Sequence, residues 1–353
     1  MTRPGYRLAL FATLLALVVV MLGAYTRLSH AGLGCPDWPG CYGFLGVPMS
    51  EHNQALAEAR FPGAPLEVAK GWYEMVHRYF AGSLGLCILA LALQAWRYRG
   101  EPGQPLKLPL ALLGLVILQA AFGMWTVTLK LWPQVVTAHL LGGFATLSLL
   151  FLLSLRLSGA APRLPRLPSR LHTLAACALV LVVGQIALGG WVSSNYAAVA
   201  CIDLPTCHGQ WWPAMDFANG FHLTQHIGPN YLGGQLDSDA RTAIHMTHRL
   251  GALVVSLVLL TLAWQLRRSG LPGLAGGLML ALAVQLCLGM GNVLLHLPLL
   301  VAVAHNAGGA VLLLTLVLVN YRLRGAARQS SPTTSESADD PVAGAGFAAL
   351  SGK

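Results

Sequence analysis

The chain has 353 residues, of which 55% are hydrophobic and only 10% charged, and it carries a formal net charge of +9. A mean hydropathy of +0.61 over this length excludes an ordinary soluble domain and points to an integral membrane protein. The basic excess does not imply a nucleic-acid partner, because Lys and Arg in membrane chains chiefly set orientation.

Continuous apolar stretches fall at 8–29, 73–97, 108–129, 135–156, 171–193, 242–266, 272–293 and 299–320. Each is near the ~20 residues that a spanning helix needs. They are continuous rather than alternating, so they read as helices and not as barrel strands. The first has no convincing small-residue cleavage site after Gly23, Ala24 and Tyr25, and is expected to be retained rather than removed as a signal. The expected fold is an all-α integral membrane protein with eight transmembrane helices, arranged as two duplicated four-helix bundles.

In chain order, the first span leads to an outer loop, "HAGLGCPDWPGCYG", with Cys35 and Cys41. "YEMVHRYFAG" (73–82) then opens the second span with Glu74, His77 and Arg78. The third and fourth spans contain "LQAAFGMWTVTLKLWPQVVTAHLLGG", with Gln119 and His139. A Pro- and Arg-rich linker, "SGAAPRLPRLPSR" (158–170), follows. The second half repeats these features: the loop "AAVACIDLPTCHG" with Cys201 and Cys207, then "IHMTHRLGAL" (244–253) with His245, His248 and Arg249, then "VQLCLGMGNVLLHLPLLVAVAHNAGG" with Gln285 and His305. Gln119 precedes His139 by 20 residues, and Gln285 precedes His305 by 20. Because four helices return the chain to its starting face, the halves are expected to be parallel copies related by an axis along the membrane normal. The divisions are a first bundle at 1–157, a cytoplasmic linker at 158–170, a second bundle at 171–325, and a small, polar tail at 326–353 that is expected to be disordered.

With the N-terminus placed in the cytoplasm, fifteen Lys and Arg residues lie inside and seven at or beyond the outer ends, out of 22. That bias expects both termini in the cytoplasm. His77 and His139 then sit at one level, roughly 6 Å below the outer boundary at 1.5 Å per residue. His248 and His305 repeat the arrangement. Two imidazoles from two helices suit a planar macrocycle with a histidine on each face of its iron. The small residues that follow, Ala81, Gly82, Gly142, Gly143, Gly251, Gly308 and Gly309, are expected to leave room for a porphyrin. A lone intramembrane histidine is more often a hydrogen-bonded packing residue; four at matched depth and duplicated in register reverse that preference. A zinc site would need a third or fourth ligand, which Glu74 or His245 would have to supply. Arg78 and Arg249 fit either of two uses, pairing with propionates or snorkelling to the interface.

The two loop cysteine pairs lie on the side where disulfides persist, and a Cys35–Cys41 and a Cys201–Cys207 staple are expected. The alternative is a redox pair above the first two histidines. Cys87, Cys177 and Cys287 fall in mid-helix and read as core residues.

Taken in order, "GAYTRLSHAGLGCPDWPGC", "EMVHR", "TAHLLGG", "HMTHR" and "AHNAGG" resemble the heme A synthase family, the membrane enzymes that convert heme O to heme A for terminal oxidases. The resemblance extends to about residue 325. It implies a catalytic first half in which His77 and His139 face the substrate heme O, whose C8 methyl is oxidised to a formyl group. It implies a second half in which His248 and His305 ligate a heme b cofactor. Glu74 matches the acidic residue of the family's catalytic half, and Cys35 and Cys41 its cysteine pair. A multi-pass inner-membrane location, surrounding lipid, a heme O synthase as neighbour and an unidentified electron acceptor follow from the same resemblance, while a homo-oligomer is left open. The competing readings are a b-type diheme electron carrier linked to quinol, and a heme transporter.

Overall fold

A computed structural model describes residues 2–159 and 167–329. The chain order is α1 (Tyr6–Leu28), α2 (Glu51–Arg60), α3 (Val68–Arg97), α4 (Lys107–Thr128), α5 (Pro133–Leu157), α6 (Ser169–Ser194), a 3-10 turn (Ala197–Val199), α7 (Phe217–Gly220), α8 (Ser238–Arg268), α9 (Pro272–Leu294) and α10 (Leu299–Gln329). Among the described residues, eight of these helices are long and apolar enough to cross a membrane, all except the short α2 and α7. No strand is named among the described residues.

Helices α1, α3, α4 and α5 pack in a closed ring, and α6, α8, α9 and α10 repeat it. The rings meet through α1 against α10, α5 against α6, and α5 against α10. Since α1 corresponds to α6 and α5 to α10, the first two contacts are the same contact made twice and the third lies on the axis. This is the pattern of a two-fold, self-complementary interface inside one chain. Ala9, Ala12 and Ala16 of α1, Leu147 and Leu150 of α5, Ala175 and Ala178 of α6, and Ala310 and Leu316 of α10 belong to one continuous buried core. Small alanines on the paired α1 and α6 let the helix backbones approach closely, which is how spanning helices gain packing energy without a hydrophobic drive from water.

The turns entering α5 and α10 are also copies. Lys130 and Leu131 have φ of 50° and 62°, and His296 and Leu297 have 59° and 61°. Leu131 N donates to Thr126 O and Leu297 N to Asn292 O, each at 2.8 Å. Left-handed backbone at non-glycine residues is costly and persists only where its surroundings dictate it. Here the repeated turn sets the depth at which His139 and His305 enter their helices.

The observed helices differ from the apolar stretches at several ends. Helices α3 and α8 begin at Val68 and Ser238 rather than at 73 and 242, because hydropathy marks the membrane thickness and not the length of the hydrogen-bonded helix. The final helix runs on to Gln329, so the tail expected from 326 starts as helix; the rest of it, 330–353, lies outside the described residues, as does 160–166 of the linker. Helix α2 was not anticipated, although Ser50 at its N-cap accepts from Asn53 N at 3.2 Å, and Ser before a run of Ala, Gln and Glu is a helix-start signal. Cys177 and Cys287 are exposed and Cys87 is partly buried, which corrects the expectation that all three are core residues. In uniformly apolar helices, sequence does not say which face meets protein and which meets lipid.

Candidate functional site

The five-residue stretches at 74–78 and 245–249 fasten one outer loop to each bundle and aim one histidine inward. Met75 is buried against Cys35, Cys41, Tyr42 and Val47. Met246 packs in the same way against Cys201 and Cys207. Arg78 donates to the carbonyls of Asp37 at 3.0 Å and Pro39 at 3.2 Å, to that of Gly40, and to the Glu74 carboxylate. Arg249 donates to the carbonyls of Thr206 at 2.9 Å and Cys201 at 3.1 Å. Both arginines therefore hold loop backbone, and Arg249 keeps its buried Nε without a hydrogen-bond partner.

The loops are built alike inside. Disulfides join Cys35 to Cys41 and Cys201 to Cys207. Asp37 accepts from the amides of Tyr42 at 2.6 Å and Gly43 at 2.8 Å. Asp203 accepts from His208 N at 2.8 Å, Gly209 N at 2.9 Å and the Thr206 hydroxyl at 2.6 Å. The Thr206 hydroxyl and then the Gly209 amide stabilise the charged form and hold the Asp203 carboxyl down at about 2. The shared pattern Cys-x-Asp-x-Pro-x-Cys-x-Gly, at 35–43 and 201–209, was the available signal for this loop, and sequence reading used only its cysteines.

Glu74 is buried and its carboxylate is engaged on both oxygens. Oε2 accepts from Cys35 N at 3.0 Å and Oε1 from Arg78. At the matched position the buried His245 donates from Nδ1 to Ala197 O at 2.9 Å. Each therefore ties the helix turn just outside its histidine to loop backbone, one through a carboxyl group and one through an imidazole.

His77 and His139 face each other, with ring centroids 6.5 Å apart and planes 88° apart. Two metal–imidazole bonds of about 2 Å each, with half a ring on either side, span a similar distance. Nδ1 of His77, His139 and His305 is buried without a hydrogen-bond partner. Each of the four rings lies edge-on to a glycine of a neighbouring helix. A Cβ added at Gly23, Gly123, Gly189 or Gly289 would come 2.9, 3.4, 3.3 or 3.1 Å from Cε1 of His77, His139, His248 or His305 respectively. These glycines let each ring lie against the backbone of its neighbour. The glycines singled out from sequence act differently. Gly142, Gly251 and Gly308 receive the amides of Gln119, Gln185 and Gln285, and Gly82 meets open space. Which residue faces which across two helices is not contained in either helix alone.

Among the described residues, no three or more His, Cys, Asp or Glu side chains converge as a metal-holding group. The zinc arrangement with Glu74 or His245 as added ligand is therefore not formed: those side chains turn to the loops. What remains is two histidines per half, a donor set that fits a macrocyclic iron with two axial sites and does not fit a bare tetrahedral ion.

Fold and site together define a duplicated eight-span membrane protein with a histidine pair in each four-helix ring. The family model described as cytochrome oxidase assembly protein, COX15-CtaA, matches residues 6–317. The chain is 48% identical over 311 residues to the heme A synthase of Shewanella oneidensis, covering 87% of this chain and 93% of that one. It is 31% identical over 332 residues to the heme A synthase of Rhodospirillum centenum, covering 87% and 84%, and 26% identical over 333 residues to that of Rhizorhabdus wittichii, covering 89% and 92%. The chain belongs to the COX15-CtaA family of heme A synthases.

Proposed function

We propose that this chain oxidises the C8 methyl group of heme O to a formyl group, giving heme A, as an oxidoreductase of the inner membrane with both termini in the cytoplasm. The observation that carries the reading is the facing pair His77 and His139 in a chain whose relatives are named heme A synthase. In this reading the first half, 1–157, holds the substrate through His77 and His139, and the second, 171–325, holds a heme b cofactor through His248 and His305. Bound iron supplies the electron-transfer chemistry.

The protein's own groups orient and shield. Gly23 and Gly123 let the two imidazoles of the first half lie against α1 and α4. The disulfide loop, fastened by Arg78, Met75 and Glu74, covers the outer end of that half and limits water. Oxidising a methyl group through an alcohol releases protons, and Glu74, one turn from His77, is the carboxylate placed to accept one at Oε1 or Oε2. His245, at the matched place, has no substrate carbon to serve. A heme O synthase would deliver the substrate, water would supply the formyl oxygen, and an electron acceptor outside the chain would take the four electrons as four protons are released.

The test is complementation. Expressed in cells that accumulate heme O for want of heme A synthesis, the chain should restore heme A in extracted pigment. Heme O alone, with the protein present in the membrane, would overturn the proposal.

A further inference from the structure

With Cys35 and Cys41 aligned on Cys201 and Cys207, Leu45 falls on Trp211 and Gly46 on Trp212. Leu45 is 92% exposed, Trp211 74% and Trp212 68%. A single exposed apolar side chain is ordinary on a protein surface. Large ones at the matching tips of two copied loops, in a chain that spans a bilayer, are not.

Two contacts put the first tip beside the apolar surface of the bundle instead of above it. Tyr79 of α3, exposed like its neighbour Phe80, lies within the apolar stretch that begins at 73, and its hydroxyl donates to Leu45 O at 3.3 Å. A helical side chain leans toward the N-terminal end of its helix, here the outer end, so Leu45 stands level with the first turns of that stretch. Trp72 holds the returning part of the loop from the same helix, donating from Nε1 to Met49 Sδ at 3.3 Å.

Irregular backbone survives at membrane depth only where protein answers its polar groups. Both loops meet that condition around their tips. Cys41 N donates to Phe44 O at 2.8 Å and Phe44 N to Cys41 O at 3.1 Å; Cys207 N donates to Gln210 O at 2.9 Å and Gln210 N to Cys207 O at 3.1 Å. The Asp37 and Asp203 carboxylates take the two amides that follow Cys41 and Cys207, and the Arg78 and Arg249 guanidinium groups take loop carbonyls. A loop standing in water has no need of this set, since water would answer the same groups.

We propose that the tips of the two disulfide loops, Leu45 in one and Trp211 with Trp212 in the other, are inserted among the lipids of the outer leaflet, with the aspartate-bearing turns at headgroup level. The occupant is lipid and not a protein, because the first tip continues the exposed apolar surface of α3 through Tyr79 and Phe80, and tryptophan favours the boundary between headgroups and acyl chains. The loop that donates from Cys35 N to Glu74 is then held from two sides, by the helix and by the bilayer.

The test places a nitroxide on single cysteines of the full chain in lipid nanodiscs, after Cys87, Cys177 and Cys287 are replaced by Ala. It compares relaxation by oxygen, which concentrates in lipid, with relaxation by a water-soluble nickel chelate. Glu58→Cys, on the exposed face of α2, gives the value for water, and Leu86→Cys, 69% exposed in α3, gives the value for lipid. Leu45→Cys and Trp211→Cys should give oxygen-to-nickel ratios raised above that of Glu58→Cys toward that of Leu86→Cys. Ratios equal to that of Glu58→Cys would overturn the proposal and leave the tips free in water for a soluble partner. A second measurement needs no new cysteine and decides the matter if the cysteine-free chain does not accumulate. The emission lost in Trp211→Phe with Trp212→Phe should be emission that lipids brominated near the headgroup quench, and loss of emission quenched only by aqueous iodide would overturn the proposal.

Discussion

One turn outside the first histidine of each half, the chain carries Glu74 in one case and His245 in the other, and both are spent on loop backbone. The paired histidines, the glycines behind them, the arginines, the methionine pegs and the Cys-Asp-Pro-Cys-Gly loops are the same twice. The halves part at Glu74 against His245 and in how the outer loops are finished. The first loop carries helix α2, and His30 at its start stacks on Tyr196 of the second half with ring centroids 5.5 Å apart. The second reaches across: Trp132 donates to Gln225 O at 3.0 Å, Gln134 to Leu223 O at 3.0 Å, and Tyr231 N to Lys130 O at 3.0 Å. Arg27 of α1 in turn donates to Ser193 O at 2.6 Å and lies 4.1 Å from the centre of the Tyr196 ring. Duplication thus preserved the histidine pairs, the glycines behind them and the loop fastenings, while divergence fell on Glu74 against His245 and on the outer loops.

The largest expected break in this comparison is removal of a ligand from the second half. His248→Ala or His305→Ala should leave the purified protein without heme b, because the iron is one protein bond short; a full heme complement and an unchanged visible spectrum would contradict it. Next comes Glu74→Ala, which should cost ~10²–10⁴-fold in conversion while heme b stays bound. Heme O or its hydroxylated intermediate should accumulate in extracted pigment, and His245→Ala should affect conversion less. Gly23→Ala pushes a methyl to 2.9 Å from His77 and should weaken heme O binding ~10–100-fold. Gly85→Ala, where nothing lies within 4 Å, should not, and equal effects would argue against the glycine as a seat for the ring.

The smallest effect is electrostatic. The Asp203 carboxyl titrates at about 2 when folded, against ~3.9 in an unfolded chain, so its stabilisation is complete above ~3.9 and fades as pH falls toward 2. Asp203→Asn should remove that part of the acid dependence of the melting temperature between pH 5 and 2. An identical acid limb in the variant would show that the charge in this loop does not matter.

The eight spans were legible because a bilayer fixes their length, and the pairing of the histidines because they repeat in register. The disulfides followed from cysteine spacing on the outer side. The seats of the rings did not, since Gly23 and His77, or Gln185 and Gly251, meet only when two helices are docked. The duties of Arg78, Arg249 and Glu74 were equally hidden: a charged residue near a helix end looks alike in sequence whether it serves a ligand, the interface or a loop carbonyl. Helices α2 and α7 are too short and polar to register as apolar runs, though Ser50 and Asp216 mark their starts by accepting from Asn53 N and Asn219 N.

The division of labour between the halves is tested most directly by identifying, by mass, the hemes that remain with the purified protein from cells that make heme O, in the unmodified chain and in His77→Ala and His248→Ala. The account predicts that His77→Ala keeps heme b and carries neither heme O nor heme A, and that His248→Ala loses heme b. Heme b lost from His77→Ala and retained in His248→Ala would contradict it.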